Sequence, residues 1–152
     1  MTSRTDPFHS HFPLIQPLID YSRAAQDGLD LTLVELVKIR ASQINGCARC
    51  LVMHAHDARK NGETEERLLL LDAWRESSFY SERERAALAW TEALTFVHES
   101  GAPDDVYEAL KAHFDEKELI QLTLLIGAIN AFNRLNVGFH APHSTARGRR
   151  AA

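Results

Sequence analysis

The feature that most constrains the fold is a pair of helical segments separated by the turn dipeptide Asn45-Gly46. The first segment enters from Leu31, and an Asn-Gly pair ends helices because both residues tolerate a left-handed backbone. A second helix can begin at the cysteines that follow and run to Lys60, where Asn61-Gly62 supplies the next stop signal. The sequence therefore predicts two consecutive helices within residues 31–60.

The second of these helices contains both cysteines of the chain, Cys47 and Cys50, and then His54. These residues stand at i, i+3 and i+7, a spacing that puts their side chains on one helix face. Both sulfurs fall in the first turn, where unpaired backbone N–H groups and the helix dipole favour negative charge. A thiol in that position loses its proton more readily, so the pattern indicates reactive cysteines. Glu35 lies twelve residues before Cys47, on the preceding helix.

Two helical segments are apolar on nearly every face. One runs in from Leu31 to Ile44, and the other spans Leu119 to Phe132. Helices of this kind are buried on several sides, and one small domain rarely buries two of them completely. We therefore expect a homo-oligomer in which neighbouring subunits cover part of these helices. Because no strand pattern interrupts the helical segments, the expected fold class is all-α.

Capping and stop signals define the remaining helices of a single domain that spans residues 1–152 and has about six to seven helices. Residues 1–13 are expected to form an irregular arm, with Phe8 and Phe12 as candidate anchors, and residues 144–152 an irregular tail. The further predicted helices run over Leu14–Gln26, Glu65–Trp74, Arg85–Val97 after a Ser81–Glu84 capping box, from Asp104 onward, and from Asp115 to about Val137.

Charge and hydropathy exclude several classes of function. A net charge of −4 and a pI near 6.0 argue against nucleic-acid binding, which normally needs a basic face. The longest nearly apolar run, Leu119–Phe132, is too short to span a bilayer. Residues 1–10 lack the apolar centre of a signal peptide, so we expect a cytoplasmic protein. In that reducing compartment a C-x-x-C pair is more often redox-active or metal-binding than a structural bridge.

The cysteine pair by itself allows several interpretations. Covalent haem requires a histidine directly after the second cysteine, but Leu51 follows Cys50. A zinc site could nominally use both cysteines with Glu35 and His54, although no second Cys/His pair stands at finger-like spacing. Dithiol redox chemistry and plain core packing are the other two. Glu35 is also ambiguous, because Thr32-x-x-Glu35 fits a capping box in which the carboxylate only closes a helix end.

The pattern Glu-x11-Cys-x-x-Cys-x-x-x-His, formed by Glu35, Cys47, Cys50 and His54, resembles the active-site motif of the AhpD-like alkylhydroperoxidases. These proteins belong to the carboxymuconolactone decarboxylase superfamily. The surrounding residues 42–63, SQINGCARCLVMHAHDARKNGE, and the later segment 129–137, INAFNRLNV, are also similar to that family. The resemblance implies an AhpD-like helical bundle, assembled as a trimer or hexamer, that reduces organic hydroperoxides with two cysteines.

The resemblance also implies roles for the site residues. Cys50 would be the peroxidatic cysteine and Cys47 the resolving one. The spacing agrees, because His54 lies one turn beyond Cys50 and nearly two from Cys47, and is better placed to act as general base for Cys50. Glu35 would orient the imidazole and relay protons. A lipoyl- or thioredoxin-type dithiol would restore the pair, and neither a cofactor nor a metal is expected.

The choice of attacking sulfur stays open, because Cys47 at the start of the helix gains more from the helix dipole. Arg49 departs from the family pattern, in which the best-known members have a histidine; this puts a proton relay through that position in doubt. His56 is interpreted as a surface or interface residue, and Asn133 as a structural hydrogen-bonding residue. The alternative functions are lactone decarboxylation, the other activity of the superfamily, and non-catalytic redox sensing.

Overall fold

The computed structural model describes residues 2–143, so the predicted irregular tail at 144–152 lies outside the described residues. Within residues 2–143 the secondary structure consists of nine α-helices and one 3-10 turn, without a β-strand, and the predicted all-α class is confirmed. The helices are α1 (Pro7–Ser10), α2 (Phe12–Gln26), α3 (Leu31–Ile44), α4 (Ala48–Lys60), α5 (Glu65–Leu70), α6 (Glu82–Thr95), α7 (Val97–Ser100), α8 (Asp104–Lys111) and α9 (Glu116–Gly138).

Seven of these helices are longer than one turn, in line with the predicted six to seven. The capping box Ser81–Glu84 opens α6, and a second capping box formed by Asp115 and Glu118 opens α9. The predicted helix Glu65–Trp74 is shorter than expected, because its last turn tightens into the 3-10 turn Leu71–Ala73. Among residues 2–143, no helix combines the length and the apolar character needed to cross a bilayer.

Helix α3 is the central helix and packs against α4, α6 and α9. Leu33 and Val37 on one side of α3 belong to a core cluster shared with α6, α8 and α9. Leu36 and Ile39 on the other side belong to a second cluster that includes Trp74. The prediction that this helix is buried on several sides is confirmed, and its polar residues Glu35, Lys38 and Ser42 lie inside the protein.

The turn between α3 and α4 is a Schellman motif built on Gly46. The N–H of Gly46 donates to the carbonyl of Gln43 at 3.2 Å, and the N–H of Cys47 donates to the carbonyl of Ser42 at 3.0 Å. Gly46 has φ +64°, a left-handed conformation that glycine adopts without steric cost. The predicted break at Asn45-Gly46 is therefore confirmed, and it delivers the cysteines directly to the start of α4.

Replacing Gly46 with alanine is expected to lower the free energy of unfolding by about 1 kcal/mol, because an L-residue is strained at this φ. A Cβ on Gly46 would have no atom within 4 Å, so crowding adds nothing to the backbone cost. Urea unfolding of the oxidised protein measures the effect. The matched control is Gly138→Ala, in α9 and equally uncrowded, which should not destabilise the protein. Equal losses in both variants would contradict the backbone explanation.

A network of buried amides ties this turn to α9. The Nδ2 group of Asn45 donates to the Oδ1 atoms of Asn130 and Asn133, both at 3.0 Å. Asn133 in turn donates to the hydroxyl of Ser42 at 3.0 Å, and Asn130 donates to the hydroxyl of Thr95 at 3.1 Å. Because buried amides are costly when unpaired, this network fixes the position of the turn relative to α9. The structural role predicted for Asn133 agrees with these contacts.

The prediction of a wholly irregular arm at residues 1–13 is wrong, because the chain forms the short helix α1 there and α2 already begins at Phe12. The overlooked signal is Asp6, whose carboxylate accepts from the N–H of Phe8 at 3.1 Å, followed by proline at the first helical position. Phe8 anchors the segment by stacking on Phe132 with 6.4 Å between ring centroids. Phe12, the other predicted anchor, is 45% exposed.

Helix α9 is buried on only part of its surface within one chain. Leu122 and Leu125 are fully buried, whereas Ile120 is 54% exposed, Leu124 38% and Val137 44%. These apolar side chains form the part of the nearly all-apolar helix that a single chain does not cover.

Candidate active site

Cys47 and Cys50 are joined by a disulfide at the start of α4, with 5.4 Å between their Cα atoms. Cys47 is the N-cap residue, and its sulfur accepts from the N–H of Cys50 at 3.4 Å. Both cysteines therefore lie at the first turn of the helix, as predicted, where the helix dipole stabilises a thiolate. Both side chains are buried, with 1% of Cys47 and none of Cys50 exposed.

The buried face of α4 consists of Cys50, His54 and Ala58. Cys50 and His54 therefore share one face of α4, as the spacing predicted. His56 lies on the exposed side of the helix, also as predicted. His54 Nδ1 lies 2.8 Å from Glu35 Oε2 on α3. The structure therefore brings together the helix that contains the cysteines and the acid that the sequence placed twelve residues upstream.

Glu35 pairs with two buried basic groups and does not cap a helix. Its other oxygen accepts from Lys38 Nζ at 3.0 Å, and the same ammonium donates to Gln26 Oε1 at 2.8 Å. The N-cap of α3 is Asp30, which accepts from the N–H of Leu33 at 2.9 Å. The capping-box interpretation of Glu35 is consequently wrong, because another carboxylate closes that helix end.

The ion pairing of Glu35 determines its protonation state. Burial alone would raise the pKa of Glu35, but the hydrogen bond from His54 and the charges of His54 and Lys38 outweigh burial and hold it below its ordinary value of 4.5. The pairing therefore reverses the direction in which burial alone would move this pKa. Glu35 is therefore ionised at neutral pH and able to stabilise a positively charged imidazole.

An ionised Glu35 also fixes the orientation of His54. Since the carboxylate can only accept, it holds the proton on Nδ1 and leaves the lone pair of a neutral imidazole on Nε2. Within residues 2–143, Nε2 makes no hydrogen bond, and His54 has none to either sulfur in this disulfide form. A disulfide has no proton to give, so in this form Nε2 has no thiol proton to accept.

Asn136 on α9 is a site residue that the sequence analysis did not identify. Its Nδ2 donates to the Cys50 sulfur at 3.3 Å, and only 5% of the residue is exposed. Its Oδ1 is buried and has no hydrogen-bond partner among the described residues. The available signal was its position in the segment Ile129–Val137, which resembles the AhpD-like family. Lys38, also not identified, could have been found from its position three residues after Glu35 on the same helix.

Two cavities adjoin the site. The first, about 480 Å³, is lined by Cys47, His140 and His143, together with Arg49 and Asn136. The second, about 460 Å³, is also lined by Arg49 and Asn136. Its further lining includes His54, Lys38, Phe8, Ile129 and Phe132. We call these the Cys47 cavity and the His54 cavity; the disulfide contacts the first, and the imidazole the second.

The guanidinium of Arg49 is held where the two cavities adjoin. It donates to the carbonyl of Pro142 at 3.4 Å and lies 5.1 Å from the centroid of the Phe8 ring. These contacts give the residue a defined position between the N-terminal segment and the end of the described chain.

The arrangement has little capacity for a metal ion. Ligand atoms of Glu35, His54 and Asp57 lie within 4.8 Å of one another, the spacing that a metal site needs. However, the Lys38 ammonium lies 3.0 Å from the Glu35 carboxylate, and a divalent cation there would be repelled by it. The zinc set considered from the sequence is also excluded in this form, because its two sulfurs are bonded to each other.

The family model for the carboxymuconolactone decarboxylase family matches residues 16–93, which contain α3, the cysteine turn and α4. The chain belongs to this family. The AhpD-like assignment made from the sequence is confirmed, since a protein of unknown function from Agrobacterium tumefaciens, provisionally assigned as the antioxidant defence protein AhpD, has the same fold. That crystal structure is 41% identical, with a TM-score of 0.88 over 95% of this chain and 99% of its own.

The chain is also similar to two further proteins. The uncharacterized protein YdfG of Bacillus subtilis is 44% identical over 127 residues, covering 84% of this chain and 81% of YdfG. The debrominase Bmp8, crystallised with 2,3,4-tribromopyrrole, has a TM-score of 0.76 over 91% of this chain and 75% of its own. At 19% identity this similarity shows the fold alone. The carboxymuconolactone decarboxylase family thus includes enzymes, and its fold occurs with more than one chemistry.

Proposed function

We propose that this protein is an AhpD-like thiol peroxidase that reduces organic hydroperoxides through a Cys47–Cys50 dithiol/disulfide cycle. The observation that supports the proposal best is the disulfide at the start of α4 beside the buried Glu35–His54 pair. A redox-active pair needs two sulfurs within bonding reach, and a nucleophilic thiol needs a nearby base. The same turn and helix supply both.

In the oxidative half of the cycle, His54 takes the proton of the Cys50 thiol and becomes an imidazolium balanced by Glu35. The Cys50 thiolate attacks the terminal oxygen of the hydroperoxide, so that an S–O bond forms while the O–O bond breaks. The leaving alkoxide takes the proton from His54 and departs as an alcohol. Cys47 then condenses with the Cys50 sulfenic acid, which forms the disulfide and releases water.

In the reductive half, an external dithiol of lipoyl or thioredoxin type attacks Cys47. We place the attack at this sulfur because Cys47 lines a cavity, whereas Cys50 lines neither of the two. The S–S bond breaks and Cys50 is the leaving group. Its thiolate is stabilised by the hydrogen bond that Asn136 Nδ2 donates to this sulfur, at 3.3 Å in the disulfide form. A second exchange within the donor releases the oxidised donor and restores both thiols.

The proposed assembly is a homo-oligomer, a trimer or a hexamer, that operates in the cytoplasm, where reductants for such a pair are available. The support is the apolar surface of α9, where Ile120, Leu124 and Val137 are left exposed by the single chain. Burying these side chains against another subunit would remove apolar area from water. Neither a nucleic acid nor a membrane is needed for the proposed reaction.

Lactone decarboxylation is the second candidate, because the matching family model is named for that reaction and the buried Glu35–His54 pair could transfer protons to a lactone. The two functions differ in their need for sulfur. Decarboxylation makes no use of a redox-active cysteine pair, so it would survive when both cysteines are replaced with serine. Reductive debromination is known here only from a distant structural neighbour and is not proposed.

The test is steady-state consumption of cumene hydroperoxide by the pre-reduced protein with dihydrolipoamide as the donor. We expect one alcohol formed per dithiol oxidised, and loss of this turnover in the Cys47→Ser/Cys50→Ser variant. If the protein consumes no hydroperoxide but decarboxylates a carboxylated lactone, with or without its cysteines, the peroxidase proposal is wrong. If it oxidises without turning over and changes its assembly state, redox sensing is the better account.

A further inference from the structure

The side-chain amide of Asn136 has a hydrogen-bonded nitrogen and, among residues 2–143, an oxygen without a hydrogen-bond partner. Its Nδ2 donates to the Cys50 sulfur at 3.3 Å, while its Oδ1 is buried without a partner among residues 2–143. A buried acceptor left unpaired costs free energy, so such a group usually has a partner in another state of the protein. The neighbouring amides Asn130 and Asn133 are fully paired, which sets Asn136 apart on the same helix.

The His54 cavity offers a place for that partner. Asn136 and His54 both line it, so the cavity adjoins the imidazole and the residue whose amide contacts the Cys50 sulfur. Much of the remaining wall is apolar and includes Phe8, Ile129 and Phe132. Charged side chains, among them Lys38, Arg49 and Asp57, also line this cavity of about 460 Å³. It therefore suits a small organic molecule that has both an apolar part and a polar group.

We propose that the His54 cavity binds the organic hydroperoxide, with Asn136 Oδ1 accepting from its terminal O–H and its organic substituent packed against Phe8 and Phe132. This inference rests on the proposed peroxidase function and assigns the substrate site within it. It also assigns the Cys47 cavity to the reductant. Substrate and reductant then use different cavities.

In this proposal, both polar atoms of the Asn136 side chain contact a reactant: Nδ2 contacts the Cys50 sulfur, and Oδ1 the hydroperoxide. The Nδ2 group contacts the Cys50 sulfur, and Oδ1 belongs to the same planar group. In the proposed complex the O–H bonds to the Oδ1 lone pair on the side of that sulfur, which puts the two reacting atoms beside each other. The oxygen that bears the hydrogen is the one the thiolate attacks. As the S–O bond forms and the O–O bond breaks, this oxygen keeps its hydrogen and becomes the sulfenic acid hydroxyl. The other oxygen departs as alkoxide and is protonated by His54.

The first experiment uses the Cys47→Ser background, in which Cys50 is the single thiol, and compares two isosteric substitutions of Asn136. Rates of reaction with cumene hydroperoxide and with iodoacetamide are measured across pH. Iodoacetamide reacts with the same thiolate but carries no O–H. Asn136→Leu should lower the ratio of the peroxide rate to the alkylation rate about tenfold, because the acceptor for the O–H is lost.

Asn136→Asp serves as the second variant because it keeps an acceptor and loses the donor. It should retain the wild-type ratio once the thiol is fully ionised, while its negative charge moves the alkylation profile to higher pH. If Asn136→Leu changes both rates equally, Asn136 only tunes the thiol and the proposal is wrong. If the Cys47→Ser protein with Asn136 intact does not react with the hydroperoxide at all, the proposed function fails instead.

The second experiment tests the cavity itself. Phe8→Ala should lower the rate with cumene hydroperoxide severalfold more than the rate with hydrogen peroxide, which has no organic substituent. The matched control is Phe12→Ala, an aromatic of the same segment that is 45% exposed and lines neither cavity. Equal effects of Phe8→Ala on both peroxides, or equal effects of the two substitutions, would show that the substituent binds elsewhere.

Discussion

Replacing Cys50 with serine is expected to reduce hydroperoxide turnover at least a thousandfold, because serine is not ionised at neutral pH and the attacking sulfur is lost. Replacing Cys47 with serine should also stop turnover, but it should leave one round of oxidation intact. In that variant a sulfenic acid is expected at Cys50, detectable by dimedone labelling and mass spectrometry. The pair of variants thus distinguishes the attacking cysteine from the resolving one.

The two serine variants control for each other. Each loses the same disulfide, so any loss of stability from the missing bridge is common to both. A dimedone adduct formed only in Cys50→Ser would reverse the roles and make Cys47 the attacking sulfur, as its place at the helix start would permit. If neither variant forms an adduct and both still turn over hydroperoxide, the cysteines take no part in the reaction.

Replacing Glu35 with glutamine is expected to slow the oxidation of Cys50 about a hundredfold, at the lower end of what general base catalysis contributes. The carboxylate is the buried charge that orients His54 at 2.8 Å and balances the imidazolium. Glutamine preserves the shape but not the charge, and it leaves the Lys38 ammonium without its anionic partner. Stopped-flow measurement of thiol loss after mixing with hydroperoxide gives this rate directly.

The matched control is Glu92→Gln. Glu92 is another largely buried carboxylate, and it accepts hydrogen bonds from Arg40 and Trp74 at 2.8 Å each. Burial alone would raise its pKa, but hydrogen bonds from Trp74, Arg75 and Arg40 outweigh burial and lower it. It belongs to no part of the proposed reaction. Its replacement should reduce stability and leave the oxidation rate unchanged. Equal slowing in both variants would mean that Glu35 acts through stability alone.

The wild-type protein and Glu35→Gln should differ in how their free energy of unfolding changes with falling pH. Since the pKa of Glu35 is lower in the folded protein than in the unfolded chain, its pairing stabilises the fold above about pH 4.5. That contribution is lost as the pH falls toward the lowered value, because the carboxylate must then be protonated. Glu35→Gln lacks the group and should lose less stability than the wild type over this range. Urea unfolding at a series of pH values from 7 to 3 measures the difference.

The sequence predicted the parts of the fold that depend on local chemistry. The Asn45-Gly46 break, the capping boxes at Ser81 and Asp115, and the starts of α4 and α6 all follow from residues close together in the chain. The site motif was predictable for the same reason, since Cys47, Cys50 and His54 lie on one short helix. In these places local propensity and the final structure agree.

The missed features depend on contacts between distant segments. Asn136 meets Cys50 across 86 positions of sequence, and no spacing rule indicates such a contact. The direction of the Glu35 pKa shift depends on its pairing with His54 and Lys38, which only the packing of α3 against α4 reveals. The arm at residues 1–13 was misjudged because Asp6 and Pro7 form a weak local signal that becomes a helix once Phe8 stacks on Phe132.

The most direct measurement of the central claim is the thiol content and intact mass of the reduced protein before and after one equivalent of cumene hydroperoxide. The account predicts that two thiols disappear, that one alcohol forms, and that the mass falls by about 2 Da as the Cys47–Cys50 bond closes. An unchanged thiol content, or a mass increase from added oxygen without a disulfide, would contradict it.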